Sequence, residues 1–234
     1  MYLNIDSNAK TIKGQKKGFL TGILYLAPYK LAGINLCPMA ELAQCHGACL
    51  NKAGRGAFTS TQTARINKTK KYHNDKNLFM LQIIKDIKTL IRKADKMGFI
   101  PIVRLNGTSD IRFESVKITY DGIDYPNIMA IFPELQFYDY TKIANRKNIP
   151  SNYDLTFSYS GVKSYDSFVK MAIEKKDRIA VVFRSVSAIP EMFLGLPVIN
   201  GDDSDLRHID NKNCIVALYA KGKAKKDYSG FVVG

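Results

Sequence analysis

Apolar residues recur at three- and four-residue steps through 77–97, at Met80, Ile83, Ile84, Ile87, Leu90, Ile91, Ala94 and Met97. Lys85, Asp86, Lys88, Arg92, Lys93 and Lys96 fill the positions between, and Gly98 follows. This spacing predicts an amphipathic helix with its apolar stripe toward the core and a glycine at its end. Beyond it the pattern shortens. Runs rich in β-branched and aromatic residues at 100–105, 128–132, 135–138, 155–159, 179–183, 198–199 and 215–219 read as strands. Several are continuously apolar, which suits strands buried on both faces of a parallel sheet. A helix is expected at 164–176, capped by Ser164 and with Phe168, Val169, Ala172 and Ile173 on one face. The segment 121–126 reads as a loop or hairpin. No repeat, low-complexity tract or strong domain boundary appears, so residues 1–234 are expected to form one domain.

Polar residues follow successive strand runs: 104–110, 139–142, Ser158 with Ser160, Arg184-Ser185, 202–205 and 221–223. In parallel α/β proteins the carboxyl ends of strands bind ligands. One convergent site at those ends is therefore expected.

Charge adds a second asymmetry. The chain carries a net charge of +14. Residues 1–98 hold 17 Lys/Arg against 5 Asp/Glu, and residues 99–234 hold 18 against 16. A basic N-terminal part beside a near-neutral remainder fits a polyanion partner, nucleic acid or a nucleotide. Its densest stretch runs through Lys52, Arg55, Arg65, Lys68, Lys70, Lys71 and Lys76. No helix-turn-helix, zinc-finger or RNA-recognition motif accompanies it, so base-specific readout is not indicated. No apolar run is long enough to span a membrane, and the polar start at 1–17 lacks the apolar core of a secretory signal. The expected location is the cytoplasm of a host cell, where four cysteines are not read as a disulfide scaffold.

The candidate chemistry centres on Cys37, Cys45 and Cys49, spaced C-x7-C-x3-C, with Cys214 far away. Cys45 and Cys49 stand one helical turn apart, so both thiols can reach one metal. Three thiolates with a fourth position open suit an iron–sulfur cluster of the 4Fe-4S type. Zinc would take the same three cysteines with His46 or His73, and plain buried cysteines are the remaining alternative. Gly54-Arg55-Gly56 reads as a turn that lets backbone amides approach an anion.

The order of motifs resembles the phage gene 88 protein family. It is carried by Leu26-Ala27-Pro28, the cysteine run, Gly54-Arg55-Gly56 with Ala64-Arg65, and the segments 104–110 and 136–142. It continues through 155–158, Gly201-Asp202 with Asp205-Leu206-Arg207, Lys221-Gly222 and 230–233. The resemblance spans nearly the whole chain, from about Leu24 to Val233, and implies a phage or mobile-element origin. A remoter similarity is to radical S-adenosylmethionine enzymes, whose cluster cysteines precede a partial (β/α) barrel. Their usual spacing is C-x3-C-x2-C, from which this chain departs.

Together these features predict an α/β protein, a partial or distorted (β/α) barrel with a basic, mostly helical N-terminal segment at 1–98. The function expected is an iron–sulfur, radical-type enzyme acting on nucleic acid or a nucleotide, with S-adenosylmethionine as a possible cofactor. In that reading Asn106, Asp110, Ser158 and Asp202 contact cofactor or substrate. Arg55, Arg65, Lys68, Lys70, Lys71, Arg104, Lys142 and Arg184 contact anionic groups. Two alternatives stand beside it. One is a nucleic-acid-binding protein with a structural zinc, its thirteen tyrosines available for stacking. The other is a Mg²⁺-dependent nuclease using Asp110, Asp139, Asp202, Asp203 and Asp205, with Lys142 or Arg207 opposing charge. A Ser-His-Asp hydrolase is disfavoured, since His46, His73 and His208 are the only histidines and no nucleophile elbow appears.

Overall fold

The computed structural model describes residues 1–5 and 9–234, with the side chains of residues 9–11 and of Lys52 outside that description. Seven parallel strands make the body of the sheet. In spatial order they are β2 (Phe19–Leu24), β3 (Ile100–Arg104), β6 (Gln136–Thr141), β7 (Tyr153–Ser158), β8 (Ile179–Phe183), β11 (Ile215–Tyr219) and β10 (Leu196–Asn200). Antiparallel strands β1 (Leu3–Ile5) and β9 (Met192–Phe193) close the two edges. A separate hairpin pairs β4 (Ile118–Tyr120) with β5 (Ile123–Tyr125), where the sequence reads a loop or hairpin.

The helices are α1 (Ala9–Gln15), α2 (Thr59–Asn74), α3 (Lys76–Met97), α4 (Ile128–Ile131) and α5 (Asp166–Glu174). The stripe read in 77–97 is buried: Met80, Ile83, Ile84, Ile87, Leu90 and Ala94 pack on Leu20, Leu24, Val103 and Phe137. Asp75 caps α3 through Leu78 N at 2.8 Å, and Gly98, left-handed at φ 67°, ends it. Val169 and Ala172 of α5 pack on the same sheet face farther along, against Phe157, Ile179, Val181, Phe183, Ile215 and Ala217.

The opposite face explains why no closed barrel forms. It carries Arg104, Tyr138, Tyr140, Asp154, Thr156 and Arg178, where a barrel interior needs layers of compact branched side chains. These groups are covered by 201–213. Leu206 packs on Ile102 and Tyr138, and Arg104 donates to Asp205 at 2.6 Å. Arg178, 1% exposed, is held by Asp154 at 2.6 Å, Thr156 at 2.9 Å and two backbone carbonyls, those of Asp210 and Asn211. The sheet therefore stays open, correcting the barrel expectation.

Four local expectations are also corrected. The run 128–132 forms α4 rather than a strand, because Asn127 caps it through Ala130 N at 3.0 Å. The N-terminal part holds α1, α2 and α3 but is not a helical segment alone, since it also contributes β1 and β2 to the sheet. Ser164 does not cap α5, and its hydroxyl donates instead to Leu42 O at 3.2 Å. Cys45 and Cys49 do not share a helix: Gln44 is left-handed at φ 49° and stops the preceding turn, while Cys49 caps a 3-10 turn at Leu50–Lys52. No helix among the described residues is long and apolar enough to cross a membrane.

Ile83 is fully buried between α3 and the sheet. Ile83→Ala is expected to cost about 2–5 kcal/mol of stability, read as a lowered urea midpoint with unchanged slope.

Candidate metal centre

The long loop after β2 is tied to α2, to the loops after β3 and β7 and to the C-terminal segment. At its start, Ala27 N donates to Thr69 of α2 at 2.8 Å, and Leu26 O accepts from Thr108 Oγ1 at 2.5 Å. Asp110 N donates to Leu36 O at 2.9 Å. Farther on, Ala43 O accepts from Ser160 Oγ at 2.9 Å and Gln44 O from Ser229 Oγ at 3.4 Å. Gly107 makes the first crossing possible, because a β-carbon there would stand 2.7 Å from Leu24 O.

This path brings Cys37, Cys45 and Cys49 to the wall of one cavity of about 290 Å³, shared with His46, Tyr29 and Asn51. None of these three cysteines is in a disulfide. Tyr29 N donates to Cys37 Sγ at 3.3 Å and Asn51 N to Cys49 Sγ at 3.5 Å. His46 stacks on Tyr29, with ring centroids 5.2 Å apart, and its Nδ1 lies 3.2 Å from Ala40 O. His73 is exposed on α2. Among the described residues, no three His, Cys, Asp or Glu side chains are drawn together about a single-ion point.

Burial pushes the Cys37 thiol up to about 12 and raises Cys45 as well. Each thiol is raised further by its cysteine neighbours, so they are close enough to sense one another's charge. Two cations oppose this: Lys142 lowers Cys45, and Arg65 senses the charge of Cys49. Lys142 leaves the end of β6 and is buried. Its ammonium donates to Ser158 O and Oγ, each at 3.2 Å, and to Tyr159 O at 3.0 Å. The rings of Phe231 and Tyr165 flank it at 4.7 and 5.4 Å. No carboxylate among the described residues lies within ion-pair distance of it. The residues fit an anionic group of several atoms: three thiols around one space, two amides aimed at sulfur, and a buried cation alongside.

The other candidate residues are mostly engaged with the protein. Asn106 closes its own loop, accepting from Ser109 Oγ and Ile111 N at 2.9 Å and donating to Ile111 O at 2.9 Å. Asp110 accepts from Thr141 Oγ1 and Lys142 N, both at 2.8 Å. Ser158 serves Lys142. Asp202 pairs with Lys221 and accepts from Tyr219 N at 3.0 Å. Arg104 is held by Asp205, and Arg184 pins the C-terminal strand through Asp227 O at 2.8 Å, Lys225 O at 3.2 Å and Gly234 O. Arg65 is buried, over the Tyr25 ring and bonded to Asn51. Lys68 donates to Tyr2 O at 3.3 Å, and burial lowers it to about 8. Arg55, Lys70 and Lys71 are exposed. Of the carboxylates of the nuclease alternative, Asp139 and Asp205 both lie against Arg104, at 3.7 and 2.6 Å, while Asp110 is bonded to Thr141 and Asp202 is paired with Lys221.

Sequence reasoning missed two contributors. Tyr29 precedes the cysteines and acts through its backbone amide, which no side-chain motif reveals. Phe231 reaches Lys142 because the C-terminal segment pairs beside β8, with Arg184 N on Val233 O at 2.8 Å and Gly161 N on Gly230 O at 2.9 Å.

Compared with known families, the chain matches the family model described as gene product 88 over residues 2–233. No curated protein and no solved structure matches it.

Asp139 is fully buried beneath the site, accepting from Asn106 N at 2.8 Å and Tyr153 OH at 2.9 Å, and burial pushes its carboxyl up to about 7. The folded state then binds a proton that the unfolded chain releases near pH 4, so stability falls as pH rises from about 4 to about 7 and levels above that. Denaturation midpoints across this window should show that decline, up to about 1.4 kcal/mol per pH unit. Asp139→Asn should lack it.

Proposed function

The chain belongs to the gene product 88 family of phage proteins, and from the cavity its cysteines share we propose that it is an iron–sulfur enzyme acting on nucleic acid or a nucleotide. The observation that carries the reading is the pairing of three thiols around one space with the buried ammonium of Lys142. A cluster of the 4Fe-4S type held by three cysteines supplies an electron at low potential and one iron open to a ligand, for which S-adenosylmethionine is the candidate. Cys37, Cys45 and Cys49 are the ligands in this reading, and each surrenders its proton on binding. Tyr29 N and Asn51 N temper the charge on two of the sulfurs. Lys142 offsets the negative charge of the assembly from the sheet side, and the Phe231 ring keeps water from it. The loops after β3 and β7 hold the cysteine loop in place through Thr108, Asp110 and Ser160.

A second reading has one specific observation in its favour. His46 lines the same cavity with Nδ1 against a backbone carbonyl, the arrangement that leaves Nε2 for a metal. Zinc on three cysteines and His46 would then be structural, in a nucleic-acid-binding protein.

Metal and sulfide analysis of protein purified without oxygen separates the two. About four irons and four sulfides per chain, with broad visible absorbance, are expected. One zinc in colourless protein would overturn the cluster in favour of the second reading, and a Cys45→Ser variant that keeps full metal content would remove Cys45 as a ligand. Lys142→Met tests the charge argument. Removing a buried cation relieves its desolvation while losing its hydrogen bonds, so the metal-free protein should keep its stability within about 1–2 kcal/mol. The cluster should be lost to a chelator faster than from the wild type.

A further inference from the structure

Beyond the cysteine loop itself, the C-terminal part of the chain also brings exposed positive charge to its side. After β11, residues Gly222–Lys226 form a 3-10 turn. Gly222 is left-handed at φ 56°, and a β-carbon on it would stand 3.1 Å from that of Ala53. Ala48, Ala220, Ala224 and Val232 bury one another at the same junction. The turn is thereby clamped to the segment that follows Cys49.

Lys223, Lys225 and Lys226 point outward and are exposed, and among the described residues no carboxylate lies within ion-pair distance of them. The nearest acid in sequence, Asp227, is occupied by Ser229 N at 3.1 Å and Ser229 Oγ at 2.7 Å. Tyr228 is 84% exposed, and the guanidinium of Arg184 supports its ring at 4.6 Å. Arg184 is itself held by three backbone carbonyls, so the ring has a fixed base. Across the junction Arg55 is exposed and Phe58 is 61% exposed.

We propose that Arg55, Phe58, Lys223, Lys225, Lys226 and Tyr228 form a binding surface for single-stranded nucleic acid beside the cysteine cavity. The proposal supplies the substrate side of the enzyme reading above and rests on it for substrate class alone. Lysines around the rings neutralise phosphates, and the open aromatic faces stack unpaired bases of any sequence. A double helix is a poor fit, because Lys223, Lys225 and Lys226 sit on a five-residue turn that cannot enter a groove. A lipid surface is a poor fit as well, since no amphipathic helix carries these lysines.

The test is fluorescence anisotropy of a labelled oligo(dT) strand with the full-length, anaerobically prepared protein. Replacing Lys223, Lys225 and Lys226 by Ala should weaken binding about tenfold or more and flatten the log–log salt slope by about 2. Tyr228→Ala should weaken binding about five- to hundredfold with the slope unchanged. Both variants should keep wild-type iron and sulfide, and Lys85→Ala with Lys96→Ala on α3 should bind as the wild type does. Lysine variants that bind normally would overturn the surface. So would wild-type protein that prefers duplex DNA or anionic phosphatidylserine vesicles. Cluster-bearing protein that ignores the oligonucleotide overturns this proposal and leaves the cluster standing. Iron-free protein that binds through these lysines overturns the cluster and leaves the surface standing.

Discussion

The buried ammonium of Lys142, with no carboxylate among the described residues at ion-pair distance, is the constraint around which this end of the molecule is arranged. Taking Lys142 out of water carries a penalty of several kcal/mol that hydrogen bonds to three oxygens only partly offset. Two aromatic faces contribute more, and one of them, Phe231, comes from the far end of the chain. What remains unbalanced is charge. Burial lowers the affinity of Lys142 for its proton, and the groups that restore it are Cys45 and Asp110. Asp110 already accepts from Thr141 and from the amide of Lys142 itself, so the cysteine side is where further negative charge can be accommodated.

The two faces of the sheet solve the burial problem differently, and the site depends on the difference. On the helix-covered face, aliphatic side chains of α3 and α5 pack on aliphatic strand residues. Asp139 and Thr141 are exceptions, the first tying the loop after β3 to Tyr153 and the second holding Asp110. On the other face Arg104 donates to Asp205, and Arg178 donates to Asp154, Thr156 and the carbonyls of Asp210 and Asn211. Arginine suits this duty because its planar fork distributes several hydrogen bonds without losing its charge. That face cannot also close into a barrel core. The strand ends are consequently left as an open row, which the cysteine loop covers.

Legibility followed hydropathy. Helix α3 and strands β3, β8 and β11 were readable because their buried positions are aliphatic and periodic. Helix α2 was not, because the residues it buries are Arg65, Thr69 and Tyr72. The run at 128–132 could be typed only by its cap, since a short apolar stretch is compatible with strand or helix. At the site, the cysteines and the polar residues past the strands were visible as types. Their partners were not: the amide of Tyr29, the carbonyls that hold Lys142 and the ring of Phe231 meet only through tertiary contacts. Asn106 and Asp110 had the residue types of ligand contacts, yet their polar atoms close and join loops.

The charge map shows why a count along the chain misplaces a surface. Residues 99–234 come close to neutrality, but their acids and bases are not equally exposed. Asp139 is buried, while Asp154, Asp205 and Asp210 lie against buried arginines, so much of the negative charge is turned inward with a cation beside it. Lys223, Lys225 and Lys226 are outside that arrangement. In the N-terminal part the reverse holds for Arg65 and Lys68, which count as basic residues while serving the interior. Net charge belongs to the chain, whereas the field a polyanion meets belongs to the residues that burial leaves outside. On that criterion the turn after β11, next to the loop that carries Cys49, has the stronger claim to a phosphate backbone.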